Sequence, residues 1–468
     1  MKAASGSSLC YRFYLITAMS IKRSLFCLFF AALCLSTLAA DTNSLVWTKA
    51  TDHVDADLRG MALWPLLEKI AVGAGWHIYV EPDTTHTTSV KFKDLPSGEA
   101  LKRMLGDLNF ALVPQTNAVP KLFVFRTELK NATQRVLAPK PVIRHTDNEL
   151  LVRLKPGTDA DALAKLLGAK ITGRNDKLGL YRFQFGDAAG TDAALGQLKG
   201  NSDVAQADYN YYFDPLPPVQ AISSAPIAPL SLQLNPPSDS GKVVVGLIDM
   251  NVQSLGAQLD KFILPQVDVA GDVSTSTDIT HGTAMAYNIL TAIAQASTPT
   301  GSSSVQIQPV DVYGGSQTTT SWNVALGIQA AVDHGANVLN LSLGSSGDSS
   351  VLDGVVKLAL ADNIVIFGAA GNTPVDAPTY PGAIPGVYDV TALGQPGQLA
   401  SYANYWSGDT MALPGTGFVY YGGTPYVVQG TSTATAFATG VYAGTWGSTG
   451  LGQPQIIGAM QAKFPMPK

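Results

Sequence analysis

Between Val54 and Phe125 the apolar positions form two helical stripes set among short alternating runs. Leu63, Leu66, Leu67 and Ile70 share one helical spacing, and Leu101, Met104, Leu105 and Leu108 repeat it, which predicts two helices with one apolar face each. HIYVEP and SVKFKDL alternate apolar and polar residues, as strands covered on one face do. The order strand, helix, strand, strand, helix, strand, strand predicts a small α+β domain over 41–130. A second α+β domain is expected over 145–213. There ELLVRLK, a helix near 160–167, GLYRFQF, a helix near 193–198 and VAQADYNY suit a ferredoxin-like βαββαβ order. From 214 to 240 proline recurs and no apolar period survives, so this stretch is expected to be an extended linker open to proteolysis. From 241 to 468 the near-continuous apolar runs KVVVGLID, VQIQPVDV, NVLNLSLG, NIVIFGAAG and VYDVTAL alternate with helical stretches near 283–295, 321–334 and 351–361. That alternation predicts an α/β fold, a mostly parallel doubly wound sheet with functional residues at the C-terminal strand ends.

The first forty residues depart from this pattern. Lys22 and Arg23 precede an apolar run from Leu25 to Leu33 that ends in small residues from Ser36 to Ala40, the composition of a cleaved secretory signal peptide. The run is shorter than the roughly 20 apolar residues of a spanning helix, so no membrane span is expected after cleavage. Cys10, Cys27 and Cys34 all fall in this segment, and the remaining chain can form no disulfide. With 46% hydrophobic and 14% charged residues the chain is globular. Its 30 basic and 35 acidic residues, with no long basic run, argue against a nucleic-acid partner.

Four residues carry candidate chemistry. Asp249 ends the run VVVGLID, where a carboxylate emerges at a strand end, although aspartates also cap helices and turns there. His281 opens HGTAMA at an expected helix start. Ser432 lies in QGTSTATAF, where a turn exposes Oγ at a helix N-terminus that favours negative charge; a capping serine looks the same in isolation. Asn372 follows NIVIFGAAG, and its amide can donate to an oxyanion or merely shape a turn. What singles them out is their order, Asp, His, Asn, Ser, each at a strand end or helix start. Asp, His, Ser is the order of the subtilisin triad, and G-T-S-T-A lacks the last glycine of the G-x-S-x-G elbow of α/β-hydrolase esterases.

The blocks VVVGLIDMNV, HGTAMA, NVLNLSLGS, IVIFGAAGN, YPGAIPGVYDVTALG and YVVQGTSTATAFATG resemble the successive motifs of the subtilisin-like serine peptidases. The resemblance implies a peptidase whose triad is Asp249, His281 and Ser432, with Asn372 as the side-chain donor of the oxyanion hole. It implies that Ser342, Leu343 and Gly344 pair with the substrate backbone, and that Gly368, Ala369, Ala370 and Gly371 wall the pocket for the residue before the scissile bond. Met250, Asn251, Ala284 and Ala436 depart from the family pattern without removing a catalytic group. Calcium sites common in relatives cannot be assigned, and no cofactor is expected. LLVRLKPGTDADALAKLLGAKI with SDVAQADYNYYF resembles the propeptide of such zymogens, which implies self-processing and occupation of the cleft. VDADLRGMALWPLLEKIAVGAGWHIYVEP with VKFKDLPSGEALKRMLGDLNFALV resembles the short N-terminal domain of secretins and TonB-dependent receptors. This implies a periplasmic or secreted protein docked to an envelope partner. Protein or peptide substrates are expected; the rival is a silent relative that keeps the fold as a binding module.

Overall fold

The computed structural model describes residues 43–467, apart from 49–51, 115–119, 137–141, 224–229, 235–242, 272–276, 297–301, 396, 401, 405 and 407. The expected signal segment with its three cysteines lies outside the described residues.

The first unit runs β1 (Ser44–Thr48), β2 (His53–Ala62), α1 (Leu63–Ala74), β3 (His77–Val80), β4 (Thr87–Pro96), α2 (Ser97–Leu105), β5 (Asn109–Val113), β6 (Lys121–Phe125) and β7 (Gln134–Val136). Its strands form an antiparallel sheet β1-β2-β4 and a sheet β5-β6-β3-β7. The helical stripes are its core, for Leu66, Leu67, Ile70, Leu101, Met104 and Leu105 are fully buried. Leu108 is only partly buried, because α2 stops at Leu105 and Gly106 turns the chain away with a positive φ of 58°.

The second unit is β8 (His145–Leu154), α3 (Ala160–Leu166), β9 (Lys170–Asn175), β10 (Leu180–Gln184), α4 (Ala188–Lys199) and β11 (Val204–Tyr211). Its antiparallel sheet has the order β11-β8-β10-β9, which is the ferredoxin-like arrangement. Strand alternation covers both faces: Leu150 and Val152 pack under α3 and α4, while Leu151 and Leu180 enter the core of the third unit. Two side chains at the end of β11 fasten this contact. Asp208 Oδ2 accepts from Ser350 N–H at 3.0 Å, and Asn210 Oδ1 from Trp322 N–H at 3.1 Å. Each satisfies a free donor at a helix N-terminus.

The third unit contains β14 (Val244–Asp249), β15 (Val267–Asp268), α5 (His281–Ala296), β17 (Gln306–Asp311), α6 (Ser321–Asp333), β18 (Val338–Leu341), α7 (Ser350–Ala361), β19 (Val365–Ala369), β20 (Tyr388–Gln395), β21 (Gln398–Leu399) and β22 (Met411–Pro414). The hairpin β23 (Thr416–Tyr421) and β24 (Thr424–Gln429) leads into α8 (Thr431–Thr449) and α9 (Gln453–Lys463). The main sheet runs β15-β17-β14-β18-β19-β20-β21, with β22 also on β20, and is parallel except at β21. Val245 and Leu247 of β14 face the core of α5 and α8, and Val244 and Ile248 face that of α6 and α7. The doubly wound α/β expectation holds for this reason: every central strand is apolar on both sides.

The stretch 214–240 differs from a free linker wherever it is described. Strand β12 (Val219–Ala221) adds antiparallel to β24, and β13 (Gln233–Leu234) pairs in parallel with β16 (Ser302–Ser303). Leu232 is fully buried. Proline removes apolar periodicity and donors but fits an extended strand added at an edge, so composition alone conceals the docking.

Candidate active site

Asp249 is the last residue of β14 and is wholly buried. His281 is the first residue of α5, buried to 3% exposure. The His281 Nδ1 atom lies 2.8 and 3.0 Å from the two Asp249 carboxylate oxygens, and Met250 N–H donates to Asp249 Oδ1 at 2.7 Å. The carboxylate thus orients the imidazole and is itself held by its own strand end. Gly282 makes the approach possible: a Cβ there would lie 2.0 Å from the carbonyl oxygen of Met250. No other side chain fits between the start of α5 and the end of β14.

Ser432 is the second residue of α8, where a backbone N–H has no partner within the helix. Its Oγ donates to the Ser342 carbonyl at 2.8 Å, and Ser342 Oγ returns a bond to the Ser432 carbonyl at 2.8 Å. The His281 Nε2 atom is buried with no hydrogen-bond partner among the described residues. The structure therefore joins Asp249 to His281 directly and parks the Ser432 hydroxyl on the carbonyl of Ser342, just past β18. Helices α5 and α8 set the spacing between the two residues. Gly440 and Gly444, one turn apart, let the backbones meet: a Cβ on Gly440 would lie 2.4 Å from Ile289 O, and one on Gly444 3.0 Å from Ile293 Cα.

Asn372 lies just past β19, and its Oδ1 accepts from Thr431 N–H at 2.8 Å and from Thr431 Oγ at 3.2 Å. With the oxygen so engaged, Nδ2 is the group left to donate. Thr431 Oγ also accepts from Gly371 N–H at 3.1 Å, tying the end of β19 to the start of α8. The segment 368–371 is pressed closely by its neighbours, since a Cβ on Gly368 would meet Gly382 Cα at 2.5 Å. Leu343 is core, whereas the carbonyls of Ser342 and Gly344 are both engaged, Ser342 O by the Ser432 Oγ and Gly344 O by the Asp214 N–H at 2.8 Å.

Thermitase from Thermoactinomyces vulgaris is 32% identical to this chain over 223 residues, which are 46% of this chain and 79% of thermitase. The subtilase family model matches residues 240–454. The chain belongs to the subtilase family. A second model, the fervidolysin N-terminal prodomain, matches residues 131–210 of this subtilase. The thermostable alkaline protease of Halalkalibacterium halodurans is 39% identical over 123 residues, 26% of this chain and 34% of the relative. This subtilase spans about a third to a half of the length of the first curated relatives it matches, 34% and 47%. The crystal structure of fervidolysin from Fervidobacterium pennivorans shares the fold at 18% identity and a TM-score of 0.51, covering 68% of this chain and 57% of that one.

Sequence reasoning missed Thr431, which holds Asn372, and it missed Asp208 and Asn210 on β11. The first stands inside G-T-S, where its neighbour drew the attention. The other two sit in an alternating strand whose polar positions read as solvent-facing. Among the described residues no cluster of three or more metal-ligating side chains occurs, and no helix is long and apolar enough to cross a membrane.

Proposed function

We propose that this subtilase is a serine endopeptidase made as a zymogen. The observation that carries the reading is the buried Asp249–His281 pair, at 2.8 Å, set at the start of α5 while Ser432 stands at the start of the helix packed against it. In the reaction Ser432 Oγ attacks a peptide carbonyl, His281 Nε2 takes the hydroxyl proton, and Asp249 stabilises the imidazolium and its orientation. The C–N bond breaks as His281 returns the proton to the leaving amine, and water then hydrolyses the ester. Asn372 Nδ2 and the Ser432 N–H stabilise the oxyanion, each worth about 3–4 kcal/mol in comparable sites. A peptide adds as an extended strand along Ser342–Gly344, so its backbone is read before its side chains. Export through a cleaved signal, and docking of the first unit to an envelope protein, complete the proposal; both rest on the sequence pattern.

The test uses the full chain from residue 41, opened by brief treatment with a zinc endopeptidase that is then chelated. A fluorophosphonate is expected to label the opened parent, and casein to be cleaved, with neither activity in Ser432→Ala. An opened parent that remains unlabelled and inert would leave the silent binding module as the reading.

A further inference from the structure

Residues 212–221 follow one path across the candidate active site. Tyr212 bridges antiparallel to Thr320, and its carbonyl accepts from Ser345 Oγ at 2.8 Å. Phe213 N–H donates to Thr319 O at 3.0 Å with its side chain fully buried, and Asp214 N–H donates to Gly344 O at 2.8 Å. On the other side, Val219, Gln220 and Ala221 pair with Val428, Val427 and Tyr426 of β24, the strand that runs into Gly430 and Ser432. Residues 215–218 must therefore cross between Gly344 and Val428, past the nucleophile.

The register follows from the pairing. In an antiparallel ladder a step of two residues along one strand matches two residues back along the other. Continued by two residues from Asp214 and Gly344, that register would set Leu216 opposite Ser342, whose carbonyl bonds the Ser432 hydroxyl and not the Leu216 N–H. One residue on, Pro217 Cγ is 2.8 Å from where a Cβ on Gly430 would sit, and both amide atoms of Asn372 are 3.4 Å from that point. Leu216 and Pro217 are half-buried while Pro215 and Pro218 are exposed, as expected for a strap that turns its centre toward the site. On that register, and with Pro217 beside Gly430, the peptide set before Ser432 would be Leu216–Pro217.

We infer that residues 212–221 are a substrate-like internal inhibitor whose presented bond is protected by Pro217, so that the chain does not cut itself there and release requires another molecule to cut elsewhere. The inference rests on the serine-peptidase reading. Attack on the Leu216 carbonyl would form the C–O bond and move the Ser432 proton to His281 Nε2. The C–N bond breaks only when that proton reaches the departing nitrogen. Here the nitrogen belongs to a tertiary amide, without N–H and flanked by ring carbon.

The experiment compares the full chain from residue 41 with its Pro217→Ala/Pro218→Ala variant, each with and without Ser432→Ala, by intact mass over time at high dilution. The double variant is expected to split into a fragment ending at Leu216 and one beginning at the substituted position 217, at a rate independent of concentration. Ser432→Ala abolishes the split, and the parent gives no product at this bond. Pro217→Ala alone, which keeps Pro218, gives the same product should the double variant fail to fold. Splitting of the parent after Leu216 would overturn the inference. So would a proline variant that reacts with fluorophosphonate yet stays whole at 216–217. Failure of every chain to react with the phosphonate, even when opened by an added peptidase, would sink the peptidase reading and this inference with it.

Discussion

Asn372 depends on a residue 59 positions away, because its oxygen is held by Thr431 N–H and Oγ and only then does Nδ2 face outward as a donor. Asn372→Ala is expected to lower kcat by about 10²- to 10³-fold with little change in KM, since an oxyanion donor acts in the transition state. Thr431→Val keeps the backbone bond and removes the hydroxyl. Its kcat should fall in the same direction but less, with far-ultraviolet circular dichroism unchanged. Gly282→Ala should be more severe. The added carbon would sit 2.0 Å from Met250 O and must push α5 away from β14, separating His281 from Asp249. Loss of phosphonate labelling of the opened chain, with Gly282→Ser equally inactive, is the expected result; a labelled Gly282→Ala would show that the approach can relax.

At the scale of elements, apolar patterning was a good guide wherever a strand or helix is covered by its own unit. Helices expected near 283–295, 321–334 and 351–361 are found at His281–Ala296, Ser321–Asp333 and Ser350–Ala361. The candidate site was legible for a different reason: Asp249, His281 and Ser432 sit at element ends and Asn372 three residues past one, and the ends of apolar runs mark these places. Pattern failed where one unit completes another. Asp208 and Asn210 are polar positions of a strand, yet they cap α7 and α6 of the neighbouring unit. Loss of a cap residue costs about 0.5–2 kcal/mol, so Asp208→Ala and Asn210→Ala should speed amide exchange at Ser350 and Trp322 by about two- to thirtyfold. Unchanged exchange at those two amides would mean that water serves the helix ends as well. The prolines of 214–240 misled in the same way, since β12 draws its hydrogen bonds from β24 and needs no period of its own.

Across the whole molecule, one buried carboxyl pair sets a pH dependence of stability. Asp389 on β20 and Asp409 lie close together with no ion pair among the described residues. Burial is the main cause that pushes both upward, Asp409 to about 7, and the nearness of Asp409 raises Asp389 further. Each group therefore binds its proton more tightly in the folded chain than in the unfolded one. The stability this contributes is complete below about pH 4 and is lost as pH rises through the raised values, for Asp409 about 7, at up to about 1.4 kcal/mol per pH unit for each proton. Asp409→Asn keeps the uncharged form at every pH. In a Ser432→Ala background it should raise Tm at pH 8 and flatten the fall in Tm between pH 4 and 7; an unchanged slope would remove the pair as its source.

The strap of residues 212–221 also dictates how activity should appear in time. A tethered occupant meets its own cleft at millimolar effective concentration, whatever the dilution, so diluting the zymogen cannot wake it. If the first cut must come from another copy, activation feeds on its own product: a long lag, then a sharp rise, with the lag shortened by a trace of already opened enzyme. In such a system the amount of accumulated protein sets the onset of proteolysis, and Pro217 acts as its timer.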